Sequence, residues 1–467
     1  MVLSRIWSAF IIVAILVASI KYLFSPNYKS IYNDMVVGKG GDTIAVATQP
    51  ISSMKPVVRD SLLKSEKFND GHIQYKTDSL KQDVAVYRVQ STDGVIGTSK
   101  IAVDICIGLV GIMTLFMGFM SIAEKAGGIN LLSRMIQPFF SKLFPEIPKN
   151  HPSFGHMMLN FSANLLGLDN AATPFGLKAM ESLQTLNPSQ EKASNAQIMF
   201  LCLHASGLTL IPVSIIAIRA SMKASNPTDI FLPCLIATFA ATMAAMIIVS
   251  IKQKINLFQP VVLAYVGGIS AVIAGLVVFL VRLNQEELGE FSKVLSNGII
   301  LLIFFAIILG ALYKKIDVFG SFIEGAKEGF WTSVKIIPYL VGMLIAISLL
   351  RTSGVFEVII DGMKWLANAA NLDTRFVDGL PTALIKPLSG SGARGMMVDT
   401  MTTFGPDSFP SRLAGILQGS SDTTFYVIAV YFGAIGIKNT RYTVGAMLLA
   451  DLVGIITAII LAYLFFG

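Results

Sequence analysis

Side chains able to bind a charged or polar group cluster at four places inside otherwise apolar stretches of this chain. The first holds Asn164, Asp169, Asn170 and Thr173, and the second Ser206 and Thr209. The third holds Lys386, Ser389, Ser391 and Arg394, and the fourth Gln418, Ser420, Ser421, Asp422, Thr423 and Thr424. A carboxylate in apolar surroundings, Asp169 or Asp422, suits an amine, a sodium ion or a proton, and a buried Lys386 or Arg394 suits a carboxylate. Lys386 and Asp422 either neutralise one another as a fixed ion pair or neutralise a ligand, because a lone charge at bilayer depth costs several kcal/mol. Hydroxyls and amides around them offer hydrogen bonds and helix caps, with Thr173-Pro174, Ser391, Thr209 and Thr423 or Thr424 as candidate cap positions. Four half-helix N-termini at these places would favour an anionic group.

None of these clusters carries a recognisable catalytic arrangement. The chain has no Ser-His-Asp constellation, metalloprotease helix motif or Gly-rich phosphate loop, so no catalytic residue is expected and the chain does not read as an enzyme. Cys106, Cys202 and Cys234 lie in apolar runs without metal-ligand spacing. Methionines such as Met157, Met158, Met396 and Met397 suit flexible packing better than a metal path. No metal site and no cofactor are expected, beyond a coupling Na+ or H+. His204 suits either a proton shuttle or a hydrogen-bonded helix contact.

The elements that position these residues follow from composition. Of 467 residues, 54% are hydrophobic and 14% charged, and mean hydropathy is +0.67. Such a chain belongs in a bilayer, and several runs reach the roughly 20 apolar residues that a spanning helix needs. The alternating pattern of an outer-membrane barrel is missing, so the fold class is an all-α polytopic membrane protein. Although the net charge is +7, no basic stripe interleaved with aromatics accompanies it, which argues against nucleic acid as a partner. Spanning candidates are residues 101–123, 195–219, 227–251, 257–282, 295–313, 336–350, 409–437 and 441–466. Residues 153–184 and 376–403 each read as a re-entrant hairpin, two helical arms too short to cross around a polar tip. Ile129 to Leu143 and Val355 to Ala370 precede the hairpins as amphipathic, interfacial helices.

Residues 1–24 form an N-terminal anchor, without a clear small-residue cleavage motif after Lys21-Tyr22-Leu23-Phe24. Residues 25–100 are polar, with alternations such as Val84-Ala85-Val86-Tyr87-Arg88-Val89 that predict short strands in a soluble insertion. The first repeat occupies 101–251, connecting helices and an interfacial segment 252–335, and the second repeat 336–467. Lys and Arg concentrate in the loops holding Lys125, Arg134, Lys142 and Lys149, then Lys252 and Lys254, then Lys314, Lys315 and Lys327, then Lys438 and Arg441. Placing these loops in the cytoplasm sends the helix at 101–123 inward and that at 336–350 outward, with residues 25–100 outside. The halves are therefore expected to be inverted repeats containing broken helices, a plan that places a solute site at the repeat interface. One displacement sets Asn170-Ala171-Ala172 against Ser391-Gly392-Ala393, and a slightly shorter one sets Ser206 and Thr209 against Ser420 and Thr423.

The stretch Asn164-Leu165-Leu166-Gly167-Leu168-Asp169-Asn170-Ala171-Ala172-Thr173-Pro174, continuing to Leu210-Ile211-Pro212 and Ile216-Ala217-Ile218-Arg219, resembles spore maturation protein A. Lys386-Pro387-Leu388-Ser389-Gly390-Ser391-Gly392-Ala393 and Gln418-Gly419-Ser420-Ser421-Asp422-Thr423-Thr424-Phe425-Tyr426-Val427, with Tyr431-Phe432-Gly433, resemble spore maturation protein B. The chain is similar to a fusion of the two, members of the nucleoside-recognition or gate-domain family of membrane proteins. Residues 25–100 are not part of that family's usual pattern. The resemblance implies a gate-like membrane region and does not name a substrate.

These readings converge on a secondary transporter of a small polar solute, an amino acid or similar zwitterion, working by alternating access in the bacterial cytoplasmic membrane. Its partners would be that small molecule and the lipid bilayer; oligomeric state and direction of transport are open. A nucleoside transporter is the alternative within the same class. A non-transporting membrane scaffold in envelope or spore maturation is the alternative outside it.

Overall fold

Apolar runs in this chain become helices because a backbone surrounded by hydrocarbon can satisfy its N–H and C=O groups only within the segment itself. The computed structural model describes residues 2–51, 56–65, 67–70, 73–77, 83–92, 94–148, 151–166, 169–283 and 285–467. It is an all-α polytopic protein in which seven helices among the described residues are long and apolar enough to cross a membrane. They are α1 (Val2–Phe24, its apolar window Trp7–Phe24), α4 (Gly94–Lys125), α10 (Phe231–Gln253), α11 (Pro260–Val281), α12 (Gln285–Tyr313), α13 (Val318–Ser353) and α19 (Thr443–Phe466). The polar segment after α1 holds two short helices, α2 (Ile31–Val36) and α3 (Pro56–Lys64), and a four-stranded antiparallel sheet in the order β1-β4-β3-β2. Its strands are β1 (Lys39–Pro50), β2 (Lys67–Asp70), β3 (Ile73–Thr77) and β4 (Asp83–Thr92), so the alternation at 84–89 does form a strand.

The same element order occurs twice. In the first series α4 leads to α5 (Gly128–Leu143), then a helical hairpin of α6 (Pro152–Leu165) and α7 (Asp169–Gln184). Two short helices in line follow, α8 (Asn195–Ser206) and α9 (Val213–Ser221), and then α10. In the second series α13 leads to α14 (Val355–Ala369). A 3-10 turn (Arg375–Gly379), α15 (Pro381–Ile385) and α16 (Gly390–Phe404) follow, then α17 (Phe409–Gly419), α18 (Thr424–Ala434) and α19. Each opening helix is joined to its amphipathic successor through one left-handed glycine, Gly127 at φ 84° and Gly354 at φ 80°. A side chain would strain that conformation. The two candidates expected over 195–219 and 409–437 are each interrupted, at 207–212 and 420–423, and the helix expected at 336–350 begins at Val318.

Corresponding helices of the two series pack against each other antiparallel. Near one end of α4, Lys125 pairs with Glu324 of α13, and further back along α4 Met113 lies against Gly329, further forward along α13. Between them the stripe Ser321, Gly325, Gly329 and Ser333 brings α13 against Met113, Met117 and Ser121 of α4. Small residues at four-residue spacing permit this approach, which supplies dispersion contact where lipid offers no hydrophobic driving force. The helices α10 and α19 run antiparallel as well, with Gln253 Nε2 donating to the Tyr442 hydroxyl at 2.9 Å at one end and Ala241 against Gly454 at mid-length.

A methyl group at Gly329 would lie 2.5 Å from the Met113 carbonyl oxygen, whereas the space around Gly111 is open. Gly329→Ala is expected to destabilise the protein by about 1–3 kcal/mol through backbone overlap, and Gly111→Ala to stay within about 0.5 kcal/mol. Thermal unfolding of the purified protein in detergent measures both. Equal midpoints would show that the α4–α13 approach does not limit stability.

Candidate functional site

Every interruption in a helix leaves N–H and C=O groups without intrahelical partners, and at four such interruptions this chain satisfies them across elements. The C-terminal carbonyl of α6, at Leu165, accepts from the N–H of Leu210 in the break between α8 and α9, at 2.8 Å. In the second series the Pro387 carbonyl, at the tip between α15 and α16, accepts from Phe425 N–H at the start of α18, at 2.9 Å. Each hairpin tip thus leans on the break of its own series. The two breaks also meet, because Asp422 N–H donates to the Ala205 carbonyl at 2.6 Å.

This meeting belongs to a wider antiparallel arrangement. The loop before α8 pairs with the loop after α18, where Ala193 N–H donates to Asn439 O at 3.0 Å and Lys438 N–H to Glu191 O at 2.9 Å. At the opposite end, the loop after α9 meets the loop before α17 through a buried cluster. Arg219, 0% exposed, pairs with Asp229 at 2.9 Å and Asp407 at 3.3 Å, and donates to the Pro406 carbonyl at 2.7 Å. Arg412 pairs with Asp229 at 2.8 Å. The side-chain pair at the first end, Lys438 with Glu191, is 76% and 65% exposed.

Lys386 is 5% exposed and donates to the carbonyls of Leu417, at 2.8 Å, and Gln418, so its ammonium caps the C-terminus of α17. A direct pairing with Asp422 is therefore replaced by a helix-end contact, with Asp422 and Asp451 as its charged neighbours. Asp422 itself is exposed at the break, between the buried residues Ser420 and Thr423, and its carboxylate accepts from Thr423 N–H at 2.6 Å. Ser420 returns its hydroxyl to Leu417 O at 2.9 Å, as Ser206 does to Leu203 O at 3.2 Å. Thr424 donates to Asp451, which also engages Ser421, and the Gln418 side-chain oxygen is buried without a partner. Thr423 lies against Gly390 of the hairpin tip, where a Cβ would come within 2.6 Å of its Oγ1. Thr209 folds back onto Gly207 O at 3.2 Å.

Several expected caps sit elsewhere. Ser389, not Ser391, caps α16, accepting from Gly392 N–H at 2.9 Å, and Ser391 touches its hydroxyl at 3.3 Å from the first turn. Thr173-Pro174 does not open a helix: α7 begins at Asp169, and Pro174 falls far enough into it to lose only one early bond. Pro212 precedes α9, so Thr209 is not its cap, and Thr423 precedes α18 without a side-chain cap bond. The side chains of Asp169 and Asn170 lie outside the described residues, as do Gly167 and Leu168. Arg394 sits on α16, within electrostatic reach of Cys106 on α4.

The first series contributes a compact polar group. Asn164 of α6 lies 2.8 Å from His204 Nδ1, and Asn160, one turn earlier, places Oδ1 3.0 Å from the same nitrogen. Asn160 Nδ2 donates to the Ala172 carbonyl at 2.6 Å. The Tyr431 ring of α18 meets His204 edge-on at 4.8 Å between centroids, and its hydroxyl lies near Asn160 and Thr173 without closing a well-formed bond. Gly176 makes this possible, since a Cβ there would stand 2.5 Å from the Tyr431 ring and 2.8 Å from Asn160 Nδ2.

The structure therefore brings Asn164, Thr173, Ser206, Lys386, Ser389, Gln418, Ser420, Ser421, Asp422, Thr423 and Thr424 to the adjoining tips and breaks. Sequence reasoning missed Asp451, Asn160 and Tyr431. Asp451 had a clear signal, an acid inside the apolar run from Met447 to Val453. Asn160 lies four residues before Asn164 on the same helix face.

A family model described as "Gate: Nucleoside recognition" matches residues 106–222 and 333–438. Spore maturation protein B of Bacillus subtilis (strain 168) is 46% identical over 178 residues, 38% of this chain and 98% of that protein. Spore maturation protein A of the same organism is 44% identical over 150 residues, 32% of this chain and 76% of that protein. No solved structure matches. A polytopic helical protein with two gate-type segments is thus the class, and the chain belongs to the nucleoside-recognition Gate family as a fusion related to spore maturation proteins A and B.

The two ends of the broken helices differ in how they are held. Arg219→Met removes one of the two cationic partners of the buried Asp229 and is expected to destabilise the protein by about 3–5 kcal/mol. Lys438→Ala, at an exposed pair, is expected to change stability by no more than about 1 kcal/mol. Thermal unfolding distinguishes them, and comparable small losses would show that the Arg219 cluster does not lock that end.

Proposed function

We propose that this chain is a secondary transporter of a small polar solute, an amino acid or similar zwitterion, moved by alternating access between two inverted halves. The observation that carries this reading is Asp422, an exposed carboxylate at the meeting of two broken, antiparallel helices and flanked by buried residues. A charge held there costs several kcal/mol without a partner or water, so its accessible position favours a wet solute site. The amine of a zwitterion would face Asp422. Its carboxylate would meet the free N–H groups opening α16 and α18, together with the remaining donor of Lys386.

The inverted plan has support in the antiparallel pairing of α4 with α13 and of α10 with α19, and in tip-to-break bonds that recur in both series. The short arms α6–α7 and α15–α16 act as re-entrant hairpins on this reading. Lys438 and Arg441 share one end of the bundle with Glu191, Asn195 and Glu146, which favours placing that end in the cytoplasm and residues 25–100 outside. The chain is then a multi-pass protein of the bacterial cytoplasmic membrane, not an enzyme, with no cofactor beyond a coupling Na+ or H+.

A second reading, nucleoside transport, draws on the description of the matched family and on the amides of Asn160, Asn164 and Gln418 beside the breaks. The names of the two spore maturation relatives favour a third, a scaffold, which should fail on deletion of residues 30–95 while a transporter keeps its flux. A thermal-shift screen of the purified protein against amino acids, nucleosides and dipicolinate separates the solute classes, since a ligand selective for the folded state raises apparent stability. For the amino acid that stabilises most, Asp422→Asn is expected to lower flux into proteoliposomes at least about tenfold, the loss of roughly 1.4 kcal/mol of binding. Asp104→Asn, an exposed position on α4, is expected to leave it unchanged. Equal flux in both variants, or stabilisation by nucleosides alone, would remove the zwitterion reading.

A further inference from the structure

The first half of α13 is covered on one face and bare on the other. Its stripe Ser321, Gly325, Gly329 and Ser333 is buried along α4, whereas Lys327, Glu328, Trp331 and Lys335 are exposed. With about 100° between successive residues, these four lie on the side opposite the stripe. Trp331, 60% exposed, marks the middle of that side, with Lys327 to its left or right and Glu328 across from it. Val334 and Tyr339, exposed as well, continue the bare side along the helix.

The depth of this face is set by α4. Gly329 lies against Met113, near the middle of the apolar run 101–123, so Lys327 and Glu328 stand level with the centre of a spanning segment. A charge that faces lipid at such a depth costs several kcal/mol. The chain itself does not relieve it. Lys327 and Glu328 are successive residues, which point too far apart around a helix to meet one another. Glu324, one turn before Glu328, has the same sign and is engaged by Lys125. Among the described residues neither Lys327 nor Glu328 has an ion pair.

We propose that this face joins two copies of the chain about a two-fold axis along the membrane normal. Copies inserted in one orientation present α13 in the same direction, so equal depths meet. The axis passes between the two Trp331 side chains. A half-turn about it sets the Lys327 side of one helix opposite the Glu328 side of the other, and both pairs form together. The two residues differ in height by about 1.5 Å, one helical rise, so lysine and glutamate are level across the contact. Each charge exchanges lipid for a countercharge, and the paired tryptophans supply the apolar centre. Lys335 then faces Val334 of the second copy, clear of any like charge. Because one self-complementary face serves both partners, the assembly closes at two.

The test counts copies of the fluorescently tagged full chain by single-molecule photobleaching in liposomes, over a series of protein-to-lipid ratios. Wild type is expected to bleach in two steps at ratios where Lys327→Glu and Glu328→Lys bleach in one, each single variant associating at least about tenfold more weakly. The exchange of both residues, Lys327→Glu with Glu328→Lys, rebuilds the pairs with reversed polarity and is expected to restore association. A mixture of the two single variants, tagged in different colours, is expected to form mixed pairs for the same reason, and their formation shows that both variants fold. Wild type that is monomeric at every ratio, single variants that associate like wild type, or an exchange and a mixture that do not recover overturn the proposal. A third bleaching step overturns two-fold closure. A different membrane protein that co-purifies with wild type and is lost with either single substitution assigns the face to another occupant and overturns it too. No solute or flux enters the measurement, so it stands apart from the transport reading.

Discussion

The constraint on which this structure depends is that a helix interrupted inside a bilayer must find partners for its freed backbone groups. Here those partners come from other interruptions. The Ala205 carbonyl at one break receives the Asp422 N–H from the other, Leu165 receives Leu210, and Pro387 receives Phe425. Lys386 covers the last carbonyls of α17, and Thr242 of α10 donates to Ser206 O at 3.1 Å. Lipid offers no such partner, and each unmet group facing it would cost several kcal/mol. The polar centre is therefore held together in large part by the need to satisfy irregular backbone.

Antiparallel pairing makes such mutual satisfaction possible. When two broken helices run in opposite directions, the carbonyl end of one half-helix comes beside the amide end of another, so donors and acceptors face each other without added side chains. Such packing also keeps the close contact of α4 and α13, where the Gly325 and Gly329 stripe replaces side-chain volume with backbone proximity. The ends of the broken helices are then held unequally, by the buried Arg219 and Asp229 cluster at one end and an exposed pair at the other.

Much of this organisation was legible in residue order. Long apolar runs, amphipathic stretches before each hairpin and polar interruptions at matched places give the helices and their breaks, since each is a local consequence of burial and periodicity, whereas the polar first half of α13 (Val318–Ser353) was not read as helix. The caps were less legible. Ser389 and Ser391 are both plausible by type, and only the extended backbone of Ser389, φ -159°, makes it the residue that reaches Gly392 N–H. Pro174 resembled a helix opener because Pro suits the first turn, yet the helix had already begun at Asp169.

The sequence by itself determined that this is a helical membrane protein, where its helices stop and which residue types could meet a solute, because hydrophobic length and chain punctuation are local properties. Tertiary structure alone decided which charges are neighbours. Lys386 meets helix carbonyls with Asp451 close by, though 65 positions separate Lys386 from Asp451 by their numbers. Arg219 meets Asp407, and His204 meets Asn160, Asn164 and Tyr431. Pairings of this kind arise from the crossing of antiparallel elements far apart along the chain, and no local pattern encodes the partner across such a crossing.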